Sequence, residues 1–97
     1  MTMTLHPRAE KDLADAAEFY ERQASAKLAG RFVAEFKRVA RLLLVNPSLG
    51  TPIADGRRAF PMQVFPYSLI YRYKSGDIRV LVVRHHRKHP TYGDSRK

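Results

Sequence analysis

The run Arg84-His85-His86-Arg87-Lys88-His89-Pro90-Thr91-Tyr92 packs imidazoles, fixed cations and a phenol into one short segment. Arg57 and Arg58 add two guanidinium groups from the middle of the chain. These are the residue types that metal-free RNA cleavage needs. A base takes the proton from the 2′-hydroxyl, an acid protonates the departing 5′-oxygen, and cations stabilise the crowded phosphorane. Imidazole suits both proton transfers because it titrates near neutrality, and the planar guanidinium fork suits phosphate. A tyrosine can stack on or orient a base. On that reading His85, His86, Arg84, Arg87, Arg57, Arg58 and Tyr92 form a nuclease set.

Two features weaken the assembly. Arginine does not deprotonate in proteins, so only the histidines can serve as base. Alternation along a strand sends His85 and His86 to opposite faces. A metal reading is weaker still. The spacing of His85 and His89 suits a helix, yet the apolar run IRVLVV before them reads as a strand and Pro90 follows at once. The chain has no cysteine, and Asp94 is the one acid nearby, so neither a metal nor another cofactor is expected. The alternative is binding. Arg57, Arg58, Arg84, His85, His86, Arg87, His89 and Tyr92 then form a surface for a macromolecular target, and the protein is not an enzyme.

The balance of charge favours a polyanionic or acidic partner. The chain of 97 residues carries 18 Lys and Arg against 9 Asp and Glu, a net charge of +9. That length suits one domain over residues 1–97 with a single core. An apolar fraction of 44% argues against global disorder. MTMTLHPRAEKDL lacks the apolar core of a secretory signal, and no run is long enough to span a membrane. A cytoplasmic protein without membrane contact is expected.

The elements that must position these groups follow from periodicity. TMTL is a short first strand, and Pro7 suits the first turn of a helix, where no amide bond is lost. Ala9, Leu13, Ala16, Ala17 and Tyr20 then share one helical face. QASA interrupts, and Leu28, Phe32, Phe36, Val39 and Leu43 repeat the pattern until NPSLG stops it. Three strand-like stretches follow. RRAFPMQV is broken by Pro61 and suits an edge; YSLIYRY and DIRVLVVRHH flank KSGD, a tight hairpin turn. The order β-α-α-β-β-β predicts an α+β fold, a two-helix hairpin packed on a small antiparallel-rich sheet. Phe19, Phe60, Met62 and Phe65 are core candidates, and residues 93–97 are expected to form a flexible tail.

Three strings, HPRAEKDLADAAEFYERQ, GRRAFPMQVFPYSLIYRY and VVRHHRKHPTYG, together resemble the RelE/ParE superfamily of toxins from bacterial type II toxin–antitoxin pairs. The resemblance covers nearly the whole chain and is strongest to the ParE-like, plasmid-stabilisation branch. Its most specific parts are Phe65-Pro66-Tyr67 leading into Ile70-Tyr71-Arg72, and His86 and Arg87 followed by Pro90 and Tyr92. The resemblance implies a cognate antitoxin that is acidic and folds on the toxin, with promoter DNA bound only through the antitoxin. ParE-like members poison DNA gyrase, whereas RelE-like members cut messenger RNA on the ribosome without a metal. The RelE branch commonly places lysines or a glutamate before the middle hairpin, and here ADGRRAFPMQV offers only arginines. Gyrase binding is therefore the expectation, with ribosome-dependent mRNA cleavage the alternative. Arg31, Arg38 and Arg41 on the second helix, with Tyr71 on the sheet, are expected to face the antitoxin.

Overall fold

The computed structural model describes all residues from Met1 to Lys97. Strand β1 (Thr2–Leu5) leads into helices α1 (Pro7–Gln23) and α2 (Ala26–Val45). A short 3-10 turn, Pro47–Leu49, precedes β2 (Thr51–Pro52), and a second turn precedes β3 (Arg57–Pro61), β4 (Tyr67–Lys74) and β5 (Asp77–His85). The sheet order is β1-β5-β4-β3-β2. Only β1 pairs in parallel, against β5; the other three pairs are antiparallel. The expected α+β architecture is present, with the two-residue β2 added between α2 and β3.

Local chemistry explains the boundaries. The His6 side chain accepts from the Arg8 amide and Pro7 opens α1 without losing a bond. Ser25 caps α2 by accepting from Leu28 N–H at 3.0 Å. Asn46 ends that helix and uses its side-chain oxygen to start the next turn through the Ser48 amide. The β4–β5 turn places Ser75 at φ 53° and Gly76 at φ 82°, the left-handed pair that a twisted two-residue hairpin requires.

Both helices lie on one face of the sheet. Ala9, Ala16, Phe32, Phe36, Val39 and Leu43 bury against Leu69, Tyr71, Ile78, Val80 and Val83. Each large side chain sealed there contributes roughly 1.5–3 kcal/mol relative to exposure. Met62 and Phe65 join this core, and Phe60 is half-buried beside it. Phe19 does not join them: it sits beside the buried stripe of α1 and stays 50% exposed, edge-on to Tyr20.

A bulge on β5, opposite the Ile70–Tyr71 step of β4, changes which side chains the end of β5 presents. Ile70 pairs with Val82 and Tyr71 with Val80, so Leu81 is the extra residue. Ile78, Val80 and then Val83 face the helices, while Leu81 and Val82 join Ile70 on the opposite face. The C-terminal segment crosses that second face. Tyr92 packs on its small cluster, and Gly93, at φ 82°, lies so close that a Cβ would meet Val82 Cγ2 at 2.5 Å. Residues 93–97 are thus not a loose tail. Arg96 is 6% exposed, and three backbone carbonyls of the segment accept from Arg57.

Candidate target-binding surface

The end of β5 and the turn after it hold the imidazole-rich segment. His85 stays on the helix side of the sheet, its ring edge-on to Tyr67 at 4.9 Å between centroids. Its Nδ1 accepts from the Arg87 amide at 3.0 Å. Burial, and then the neighbouring Arg87, His86 and Lys88, push its pKa below the usual histidine value, so the ring is neutral near pH 7. His86 is exposed and its Nε2 bonds Ser68 Oγ at 3.0 Å. Ser68 is paired across the strands with Arg84, whose Nη1 donates to Pro90 O. His89 turns onto Thr91, with Nδ1 at 2.7 Å from Oγ1.

The three histidines therefore serve three separate local bonds. No group of three or more His, Asp or Glu side chains converges in an arrangement that could hold a metal. Arg87, Lys88 and His89 project outward along the turn, and the Lys88 ammonium lies 5.0 Å from the centre of the Tyr92 ring. What this stretch presents outward is positive charge carried on a fixed backbone.

Several other candidate residues are used internally. Arg57 is 6% exposed and donates to the carbonyls of Gly93, Asp94 and Arg96, so it orders the tail and is not a surface cation. Arg58 donates to Ser48 O and Gly50 O and braces the loop after α2. Tyr71 is fully buried: its hydroxyl donates to Pro47 O at 2.6 Å and accepts from Gly50 N–H at 2.9 Å. Expected at the antitoxin interface, it instead lies in the core of the chain. Tyr92 is half-buried, and its hydroxyl donates to Asp12 Oδ1 at 2.7 Å. The Asp12 carboxylate beside it pushes the phenol pKa upward.

Asp12 and Arg96 are the two residues that sequence reading passed over. Their side chains form an ion pair at 2.6 Å, with 8% of the Asp12 side chain and 6% of the Arg96 side chain exposed. Asp12 lies off the apolar face of α1, and Arg96 falls in the stretch expected to be a flexible tail. The signal lay in strand lengths: β5 has nine residues and β1 four, so the far end of β5 lacks a neighbour on that side.

A second surface lies on α2. Arg31 and Arg41 are exposed, and Arg38 is held by Glu35 through two bonds of 2.6 and 2.8 Å. Beside them Leu42, Val45 and Leu49 are 36%, 85% and 43% exposed. Val64 protrudes from the neighbouring β3–β4 loop at φ 72°, a strained conformation for a β-branched residue. Arg38 and Arg41 thus border both Val64 and the apolar patch of Leu42, Val45 and Leu49. No helix is long and apolar enough to cross a membrane.

Comparison with known proteins agrees with this architecture. A ParDE toxin–antitoxin system structure from P. aeruginosa, described as chromosomal, contains a chain similar to this one at a TM-score of 0.78. The match covers 88% of this chain and 95% of that chain at 22% identity, a likeness of fold. No curated protein matches the sequence. The family model for the ParE toxin of the type II toxin–antitoxin system parDE matches residues 3–90, nearly the full length. The chain belongs to the ParE toxin family of type II toxin–antitoxin systems.

Proposed function

We propose that this toxin acts by binding DNA gyrase in the cytoplasm and stalling it on cleaved DNA, with the segment Arg84 to Tyr92 as the contact surface. One observation carries the choice of binding over catalysis. His85, His86 and His89 are each committed to a different neighbour and diverge, while Arg87 and Lys88 turn outward. A general acid and base acting on one phosphodiester must both reach its atoms, and this divergence does not offer that geometry. The second face of the sheet is also covered by the chain's own tail. Cations on a rigid turn suit electrostatic capture of an acidic or DNA-bearing target.

The antitoxin covers α2 in this reading. Arg31, Arg38 and Arg41 border the exposed Leu42, Val45, Leu49 and Val64, which suits an acidic segment with an apolar stripe that folds as it binds. Promoter DNA is engaged only through that antitoxin. The test is a cleavage-trapping assay with purified gyrase, supercoiled plasmid, ATP and the toxin freed of antitoxin. Linear DNA that appears only after denaturant and protease supports the reading. No trapped breaks, with a control poison active, would refute it and direct attention to cut messages on ribosomes.

A further inference from the structure

The buried Asp12–Arg96 pair replaces the part of a strand that is missing. Strand β1 ends its pairing at Leu5 opposite Val80, and His6 N–H makes the last bond, to Val80 O. Pro7 then carries the chain away into α1, so Leu81 O and Val83 N–H are left facing no strand. Asp12 Oδ2 accepts from Val83 N–H at 3.1 Å, and Arg96 Nη1 donates to Leu81 O at 3.0 Å. Arg96 Nη1 also bonds Asp12 Oδ2 at 2.6 Å, and Tyr92 Oη donates to Asp12 Oδ1. The Arg96 guanidinium lies 4.9 Å from the Tyr92 ring centre.

One carboxylate on α1 therefore gathers the end of β5, the ring of Tyr92 and the side chain of Arg96. Arg57 grips the same segment from the sheet through the carbonyls of Gly93, Asp94 and Arg96. The cationic turn from Arg84 to Tyr92 is suspended between these anchors. Gly93 permits the close crossing, because any side chain would strike Val82 and the backbone sits at positive φ.

We propose that Asp12 is a positioning residue for the target-binding turn: through Arg96 and Tyr92 it latches the C-terminal segment across the sheet and fixes the pose in which Arg84 to Tyr92 meets the target. The second half rests on the gyrase reading; the latch itself does not. A charge buried to this degree is not kept to decorate a loose end. Arg96 holds one Nε with no partner as well, so its ordering depends on the bonds that Asp12 and Leu81 supply.

The test is amide hydrogen exchange on the full-length toxin, run beside the trapping assay. In the unsubstituted protein, the amides of Val83, Asp94 and Arg96 should be protected, since each has a bonded acceptor. Asp12→Asn should lower protection across residues 84–97 by about tenfold or more while β4 amides keep theirs. Trapped breaks should fall in parallel, and Asp12→Glu should restore part of both. Asp15→Asn, one turn on and paired only with exposed Lys11, is the control that should change neither. If Asp12→Asn does not fold, Tyr92→Phe removes a single bond of the latch and should loosen the same residues to a smaller degree.

Unchanged exchange in 84–97, or an unprotected segment in the unsubstituted protein, overturns the latch. A loosened segment with trapping at the original level overturns its role in target binding. If the original protein traps nothing, the gyrase reading fails, and exchange alone decides whether Asp12 latches the tail.

Discussion

Tyr71 makes a quantitative case for treating a mid-sheet tyrosine as internal scaffolding. Its ring is fully buried, and its hydroxyl bonds Pro47 O and Gly50 N–H, joining β4 to the loop that follows α2. Tyr71→Phe keeps the ring and removes both bonds. A buried donor left without an acceptor costs about 1–3 kcal/mol, so a loss of about 2 kcal/mol is expected. For a domain of this size that lowers Tm by roughly 8–16 °C. Gly50 supplies the second leg of a double-mutant cycle. Its φ of −69° is open to any residue, so the objection to a side chain there is contact alone. A Cβ would stand 2.6 Å from Tyr71 Oη, 2.8 Å from Tyr71 Cε1 and 3.0 Å from Arg58 Cβ. Gly50→Ala should therefore cost about 1–3 kcal/mol through overpacking. Combined with Tyr71→Phe, which removes the nearest obstructing atom, the total should fall short of the sum by at least about 0.5 kcal/mol. Thermal and urea unfolding of the four proteins measures this. A Tm change under about 2 °C for Tyr71→Phe would refute the energetic argument, as would strict additivity in the cycle. A marked loss of antitoxin affinity in folded Tyr71→Phe would instead restore Tyr71 to the interface.

Two further perturbations follow from the core and from a paired acid. Phe32 sits amid Tyr20, Phe65 and Tyr67 with ring centres 5.4, 5.3 and 5.1 Å away. Phe32→Ala should cost about 3–5 kcal/mol, seen as a shift of the urea midpoint, and a cost below about 1 kcal/mol would mean the cluster is not packed. Glu35 is held below the usual carboxylate range by its hydrogen bonds to Arg38, with the Gln63 amide also lowering it against the opposing effect of burial. Its folded pKa is depressed, so the stability it supplies is present above the unfolded value near 4.5 and is lost as pH falls through the folded one. Glu35→Gln should flatten the acid limb of a stability–pH curve; an unaltered limb would show that the pair contributes nothing.

The helices and the hairpin were legible because local chemistry decides them. Pro7, Ser25, Asn46 and the Ser75-Gly76 turn act within a few residues of themselves, and the apolar repeats of α1 and α2 mark their buried faces. Phe19 shows where periodicity blurs: it adjoins the buried stripe, and only the position of the sheet leaves it in solvent. The β4–β5 bulge has no signature in IRVLVV, yet it decides which of Leu81, Val82 and Val83 face the helices.

Adjacent arginines show why charge alone could not locate the site. Arg57 and Arg58 read identically in the sequence, but register pairs one with Arg72 and the other with Tyr71. Arg57 is thereby turned toward the tail and Arg58 toward the loop after α2, and both spend their guanidinium donors on backbone carbonyls. Arg96 is drawn inward by an acid 84 residues away. Such pairings depend on which segments the fold brings together, and no local pattern encodes them. A net charge of +9 thus overstates the cationic surface offered to a target. Part of that charge is structural: Arg57 and Arg96 hold the C-terminal segment, and Arg58 braces the loop after α2. Removing internal arginines should therefore disturb the shape of the surface, whereas removing Arg87 should change its charge and removing Lys88 its charge and its contact with the Tyr92 ring.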